Sequence, residues 1–138
     1  MSVGLLIVSH DAVGQAILDA SCTVLDSCPF RTEVVSIHSD QDIDEINKII
    51  EEKVLVLDNG DGVLVLTDMY GATPSNIICS LSHLNIGIIS GMNMPMLIRI
   101  MNYPSLSLLE LIDKAITGGK EGIMYCSHNK EEYATQKG

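Results

Sequence analysis

The segment VGLLIVSHDA, residues 3–12, determines how the rest of the chain can fold. Its apolar run ends abruptly at Ser9, His10 and Asp11, and the apolar positions then change their period. They recur every three to four residues, as on one face of a helix, at Val13, Ala16, Ile17, Ala20, Val24 and Leu25. The sequence therefore predicts a buried strand, a tight loop and a helix to about Leu25. His10 lies at the carboxyl end of that strand, where open α/β sheets bind ligands.

The composition predicts a single domain over residues 1–138. An apolar fraction of 46% with one Phe and no Trp indicates an aliphatic core, which is usual for a parallel sheet covered by helices. The polar segment over residues 127–138 is predicted to be a mobile tail.

Charge and hydropathy exclude several classes of function. The net charge is −10 and only eight residues are Lys or Arg, so we expect no binding to nucleic acid. No apolar run approaches the roughly 20 residues that span a bilayer, and we find no signal peptide. We expect a cytoplasmic protein. No pair of the four cysteines has C-x-x-C spacing, and we expect reduced thiols.

The rest of the chain alternates strand and helix patterns. Strand patterns cover residues 32–37, 63–66, 86–90 and, in a short fifth strand, 123–126. Helical patterns cover 43–57 and 77–84, and a separate short apolar helix follows the segment 91–95 and runs to about Met101. Ser107 and Glu110 have the spacing of a capping box for a last helix, which we expect to end at Gly118 and Gly119.

This alternation predicts an α/β fold with a doubly wound, mainly parallel sheet of order 2-1-3-4 and helices on both faces. In that order the direction of winding reverses between strands 1 and 3. His10 follows strand 1 and Asp68 follows strand 3, so we expect the two side chains to face each other in the crevice between them.

A histidine paired with an aspartate has a defined chemistry. A carboxylate that accepts a hydrogen bond from one ring nitrogen fixes the tautomer, leaves the other nitrogen as the nucleophile and stabilises the cationic ring. A lone histidine is more often structural, but the opposing Asp68 favours a catalytic His10 that takes up a phosphoryl group.

Two further loops come off the same edge of the sheet. Gly71, Ala72 and Thr73 lead into a predicted helix start, where backbone N–H groups and a hydroxyl can bind the phosphoryl group. Asn93 and Pro95 are weaker candidates for a site or partner loop. His38 follows strand 2 on this edge, and we expect it to face solvent without a partner. No spacing of His, Cys and carboxylates resembles a metal site, and we expect no cofactor.

These motifs carry a resemblance over residues 3–125. The strand that ends in Ser9 and His10, the segment TDMYGATPSN at 67–76 and the segment GMNMPML at 91–97 resemble the IIA component of mannose-type (mannose, fructose, sorbose) sugar phosphotransferase systems. The resemblance implies that His10 accepts phosphate from a histidine-containing phosphocarrier protein and passes it to a IIB component. It also implies that Asp68 orients the ring and that Thr73 helps to hold the phosphoryl oxygens.

The resemblance further implies a homodimer in which the fifth strand is exchanged and pairs antiparallel with the partner's sheet. Contact with the membrane would then be only through the permease partners.

The chain departs from the family pattern at two positions. Asp11 and Ala72 stand where the family often has glycine. Asp11 is the more consequential, because a carboxylate beside a histidine that gains roughly 1.5 to 2 negative charges opposes phosphorylation unless it points away or caps the helix.

Three alternatives compete with the carrier role. The protein could report phosphoenolpyruvate status to a regulatory partner, because no IIB domain is fused to these 138 residues, or it could be the phosphoryl donor subunit of dihydroxyacetone kinase. A receiver phosphorylated on Asp68 is disfavoured, since Ser9 and His10 occupy the place of its acidic pair.

Overall fold

The computed structural model describes residues 2–69 and 80–127. The strands and helices within them follow one another in the predicted order. The strands are β1 (Gly4–His10), β2 (Thr32–Ile37), β3 (Val63–Thr67) and β4 (Ile86–Ser90), and the helices are α1 (Val13–Leu25), α2 (Ile43–Leu57), α3 (Met94–Met101) and α4 (Leu108–Glu121). Residues 77–79 of the helix predicted over 77–84 and nearly all of the predicted tail lie outside the described residues; residues 80 and 81 are helical, and the chain turns over 82–85 instead of staying helical to 84. In the described part of the chain, no helix has both the length and the apolar character needed to cross a membrane.

The sheet has the order β2-β1-β3-β4 with every pairing parallel, which confirms the predicted order. β1 lies inside the sheet and pairs on both sides. Ile7, for example, is level with Val34 in β2 and with Leu66 in β3. Because parallel strands end at the same edge, the residues that follow β1, β2 and β3 come together there.

Alternate residues of the central strands pack against different helices, so there is a core on each face of the sheet. On one face, α1, α3 and α4 cover Leu5, Ile7, Leu64 and Leu66. On the other, α2 covers Leu6, Val8, Val63 and Val65. Burying one such side chain contributes roughly 1.5 to 3 kcal/mol. The predicted helices on both faces are confirmed, and the two cores hold β1 rigidly in place.

The start of α4 is as predicted, but its end is not. The Ser107 hydroxyl accepts from the Glu110 N–H and the Glu110 carboxylate accepts from the Ser107 N–H, which completes the capping box. The helix then continues past Gly118 and Gly119. A Cβ at Gly118 would lie 2.5 Å from the Arg99 Cβ, so these glycines allow α3 and α4 to pack closely instead of ending the helix.

Two of the cysteines are joined, which corrects the expectation of reduced thiols. Asp26 ends α1 in the left-handed region (φ 53°), and the chain turns back so that Cys28 bonds to Cys22 with a Cα–Cα distance of 5.2 Å. Cys126 is a free, exposed thiol. Cys79 lies outside the described residues.

The predicted fifth strand does not form within the single chain. Residues 123–127 follow α4 without regular secondary structure. Ile123, Met124 and Tyr125 are 78%, 59% and 52% exposed, which is unusual for three consecutive large apolar side chains. The pattern of β-forming residues is present, but these side chains stay more than half exposed and none of the described strands pairs with them.

The contact between α1 and β1 leads to a first testable prediction. A Cβ on Gly14 would lie 2.6 Å from both the Ile7 Cγ2 and the Ser9 Oγ, so Gly14→Ala overpacks a buried contact. The gain in helix propensity is about 1 kcal/mol, and overpacking costs about 1 to 3 kcal/mol. We expect a net loss of about 1 kcal/mol in the free energy of unfolding, measured by urea denaturation.

The matched control is Gln15→Ala on the exposed side of the same helix. Among the described residues the Gln15 side chain bonds only to Asp19, at the surface, so its loss should change the free energy of unfolding by less than about 0.5 kcal/mol. A Gly14→Ala protein as stable as the wild type would contradict the close contact of Gly14 with Ile7 and Ser9.

Candidate functional site

His10 and Asp68 meet between the carboxyl ends of β1 and β3, as the topology predicts. The His10 Nδ1 lies 3.0 Å from Oδ2 and 3.2 Å from Oδ1 of Asp68, and the His10 backbone N–H donates to Oδ2 at 3.0 Å. An ionised carboxylate can only accept, so Nδ1 carries the proton and Nε2 is the basic nitrogen. The ring is 57% exposed and the carboxylate only 17%. Nε2 therefore belongs to an accessible ring held by a mostly buried anion.

The Asp68 carboxylate is held in its charged form. Partial burial acts to raise its pKa. The hydrogen bonds from the His10 backbone and ring, together with the attraction of the ring, outweigh burial and bring the pKa of Asp68 below its ordinary value of 3.8. A third hydrogen bond, from the Met69 N–H at 3.0 Å, also reaches this carboxylate. Asp68 can therefore act as a fixed negative charge against the His10 ring.

Ser9 fixes the loop that carries His10. Its side chain is buried, and its Oγ accepts from the Gly14 N–H at 2.7 Å, which satisfies one of the free donors at the start of α1. Ala12 is the N-cap residue and has no side-chain cap. The hydrogen bond at the start of α1 thus comes from Ser9, and the expectation that Asp11 caps this helix is wrong. A serine at the end of an apolar strand, five residues before a helical glycine, was the available signal.

Asp11 instead pairs with His38. The Asp11 Oδ1 lies 2.8 Å from the His38 Nδ1, so the expectation that His38 has no partner is wrong. Asp11 has a φ of 44°, in the left-handed region that aspartate tolerates better than most residues. Its backbone N–H donates to the Ile37 carbonyl at 3.0 Å. Both its backbone and its side chain are therefore attached to the end of β2.

Asn93 has structural contacts in the loop that follows β4. Its Oδ1 accepts from the Met96 N–H at 2.9 Å and caps α3, while its Nδ2 donates to the Gly119 carbonyl at 3.0 Å. Pro95 lies in the first turn of α3 and packs closely on Gly122. Their part in a partner surface stays a prediction.

The phosphoryl-binding residues predicted at Gly71, Ala72 and Thr73 lie outside the described residues. Within residues 2–69 and 80–127, no group of three or more His, Cys, Asp and Glu side chains could hold a metal ion. The described site consists of one nucleophilic nitrogen and one carboxylate that orients it, with the Asp11–His38 pair on its other side. This arrangement can accept a group at Nε2 and stabilise the resulting cation.

The family model of the fructose IIA component of the phosphotransferase system, EIIA-man, matches residues 4–116. The chain belongs to this family. The match includes the strand that ends in His10 and the segments at 67–76 and 91–97 that carry the resemblance, so the mannose-type assignment is confirmed. Proteins of this IIA family are phosphotransferase components of sugar transport systems, and they interact with phosphocarrier and IIB proteins.

Solved structures agree on the fold. The mannose/sorbose-specific IIA subunit from Enterococcus faecalis aligns with a TM-score of 0.82 and 18% identity, over 94% of this chain and 98% of that one. A IIA protein associated with the fucose utilization operon of Streptococcus pneumoniae has a TM-score of 0.74 and 22% identity, over 91% and 96%. The EIIA component from Streptococcus agalactiae has a TM-score of 0.75 and 24% identity, over 89% and 96%. No curated protein sequence matches the chain.

The lowered pKa of Asp68 makes a prediction about acid stability. Since the folded pKa is below the unfolded one, the charged carboxylate contributes stability above about pH 3.8 and loses it as pH falls through the folded value. We expect wild type to exceed Asp68→Asn in free energy of unfolding at pH 7, with the difference shrinking below pH 3.8. Urea unfolding from pH 7 to 2.5 measures both.

A matched comparison uses the His10→Ala background. The ring contributions to the Asp68 pKa are then gone, while the hydrogen bonds from the backbone N–H groups of residue 10 and Met69 remain. The pH-dependent part of the difference should become smaller there. A difference that stays constant or grows in acid would contradict the role of His10 in lowering this pKa.

Proposed function

We propose that the protein is a phosphoryl carrier in which His10 accepts phosphate from a histidine-containing phosphocarrier protein and passes it to a IIB component. The observation that carries the proposal is the contact of the His10 Nδ1 with the mostly buried Asp68, which leaves Nε2 as the basic nitrogen of an exposed ring. Membership of the IIA family supports the same role and favours it over the alternative of a dihydroxyacetone kinase subunit.

The phosphoryl transfer requires no external acid or base. The lone pair on the His10 Nε2 attacks the phosphorus of the donor phosphohistidine, and a new P–N bond forms. The donor's P–N bond breaks and its electron pair returns to the donor imidazole, which becomes neutral. His10 keeps its Nδ1 proton and becomes a phosphorylated imidazolium. The charged Asp68 carboxylate, 3.0 Å away, stabilises that cation.

The reaction depends mainly on position and electrostatics. The ring is held in one orientation by Asp68, and the backbone N–H of His10 bonds to the same carboxylate, so little freedom is lost when the donor docks. In this proposal the phosphoryl oxygens accept hydrogen bonds from the N–H groups of Gly71 and Ala72 and from the Thr73 hydroxyl, as sequence and family pattern suggest.

Labelling with phosphate tests the assignment. Incubation with the phosphocarrier protein, enzyme I and phosphoenolpyruvate should place acid-labile phosphate on the wild type and none on His10→Ala. Asp68→Asn should be labelled roughly a hundredfold more slowly, because the ring loses its fixed tautomer and its counter-charge.

His83→Ala is the matched control. His83 is an exposed histidine that pairs with Glu51 at 3.6 Å, and Glu51 lies in α2 on the face of the sheet, so labelling should be unaffected. Phosphate that persists on His10→Ala would refute the assignment of the acceptor.

The protein also forms a homodimer in this proposal, with residues 123–126 of each copy pairing antiparallel with the other copy's sheet. Among the described strands β4 pairs only with β3, and an unpaired edge accepts a further strand. Ile123, Met124 and Tyr125 are more than half exposed and would become buried by such an exchange.

Light scattering tests the dimer. The wild type should have twice the chain mass of 14.9 kDa, and Ile123→Asp with Tyr125→Asp should be a monomer, because alternate residues of a strand share one face. Leu109→Asp, at an 80% exposed position on α4, should remain dimeric. A double variant that stays dimeric would contradict strand exchange.

The site of action in this proposal is the cytoplasm, with membrane contact only through the permease partners.

A further inference from the structure

Two carboxylates are neighbours of His10: Asp68 contacts its ring, and Asp11 follows it in the sequence. The order of the strands places them on opposite sides of His10. β1 lies between β2 and β3. Asp68, which follows β3, binds the ring of His10 at 3.0 Å. Asp11 is bound at the end of β2, by its N–H to the Ile37 carbonyl and by its Oδ1 to His38. The Asp11 carboxylate is therefore tied to the side of His10 away from Asp68.

This arrangement reduces the repulsion between the Asp11 carboxylate and a phosphoryl group on His10. A phosphoryl group on His10 adds roughly 1.5 to 2 negative charges directly beside Asp11. The Asp11 side chain is 77% exposed, so packing does not determine its rotamer. The contact that holds the carboxylate is the 2.8 Å hydrogen bond to the His38 Nδ1. Without it, the carboxylate is free to swing toward the incoming phosphoryl group.

The backbone of His38 is held by two hydrogen bonds to Gln41. Its backbone N–H donates to the Gln41 Oε1 at 2.8 Å, and its carbonyl accepts from the Gln41 N–H at 3.1 Å. This small turn fixes the backbone that carries the ring at the end of β2. Since a carboxylate only accepts, Nδ1 is the protonated nitrogen of His38 and donates to Asp11.

We infer that His38 is a positioning residue for phosphoryl transfer, which holds the Asp11 carboxylate on the β2 side and so keeps its charge away from the His10 Nε2. The inference rests on the proposed function of His10. His38 does not touch the phosphoryl group; its effect passes entirely through Asp11, so its effect should vanish when Asp11 has no charge.

A double-mutant cycle tests the inference. Single-turnover transfer from the phosphorylated phosphocarrier protein is measured for wild type, His38→Ala, Asp11→Asn and the double variant. Asn is chosen because it tolerates the left-handed backbone of residue 11. Removing His38 should slow transfer roughly two- to fivefold when Asp11 is present, the range expected for an exposed ion pair. In the Asp11→Asn background the same removal should leave the rate unchanged.

Each outcome is decisive. His38→Ala at the wild-type rate overturns the inference and leaves the carrier role intact. An equal slowing in both backgrounds also overturns it, because His38 would then act by another route. If wild type accepts no phosphate, the proposed function and the inference both fail. His83→Ala, which removes an exposed histidine–glutamate pair elsewhere, should match wild type throughout.

Discussion

The parallel pairing of β1 on both of its sides is the constraint on which the rest of the structure depends. A strand that pairs twice and is buried on both faces has no solvent-exposed surface along its length, so it must be apolar until it ends. Chemistry can begin only where pairing and burial stop. In this chain that point is Ser9 and His10, with one side chain buried and the next exposed.

The same constraint distributes the neighbours of His10. Whatever follows β3 lies on one side of the histidine and whatever follows β2 lies on the other. Asp68 therefore reaches the His10 ring, and His38 reaches Asp11, without either pair competing for the other's partner. Two histidine–aspartate contacts occur within a few residues of each other, and the one at His10 holds a mostly buried carboxylate whose pKa is lowered by its hydrogen bonds.

The sheet order and the meeting of His10 with Asp68 could be predicted from the sequence, because both follow from regular patterns. Alternation of apolar periods fixes the elements, right-handed crossovers limit their order, and strand ends share an edge. The Asp11–His38 contact could not be predicted in this way. It depends on a single left-handed backbone angle at Asp11 and on exposed rotamers, neither of which leaves a periodic signal. The Cys22–Cys28 pairing likewise depends on the left-handed Asp26 that ends α1.

The glycines of α4 show a related limit. Gly118 and Gly119 carry the local signal for a helix end. Tertiary packing overrides this signal, because Arg99 and Met96 of α3 fill the space beside the two glycines and the helix continues to Glu121. Residues 123–127 are the opposite case, since their strand-forming pattern finds no partner strand among the described residues. Local sequence reports what a segment can form, and the surface available to it decides what it does form. For His10 both levels agree: the exposed ring comes from the end of β1, and the mostly buried carboxylate comes from the end of the neighbouring β3.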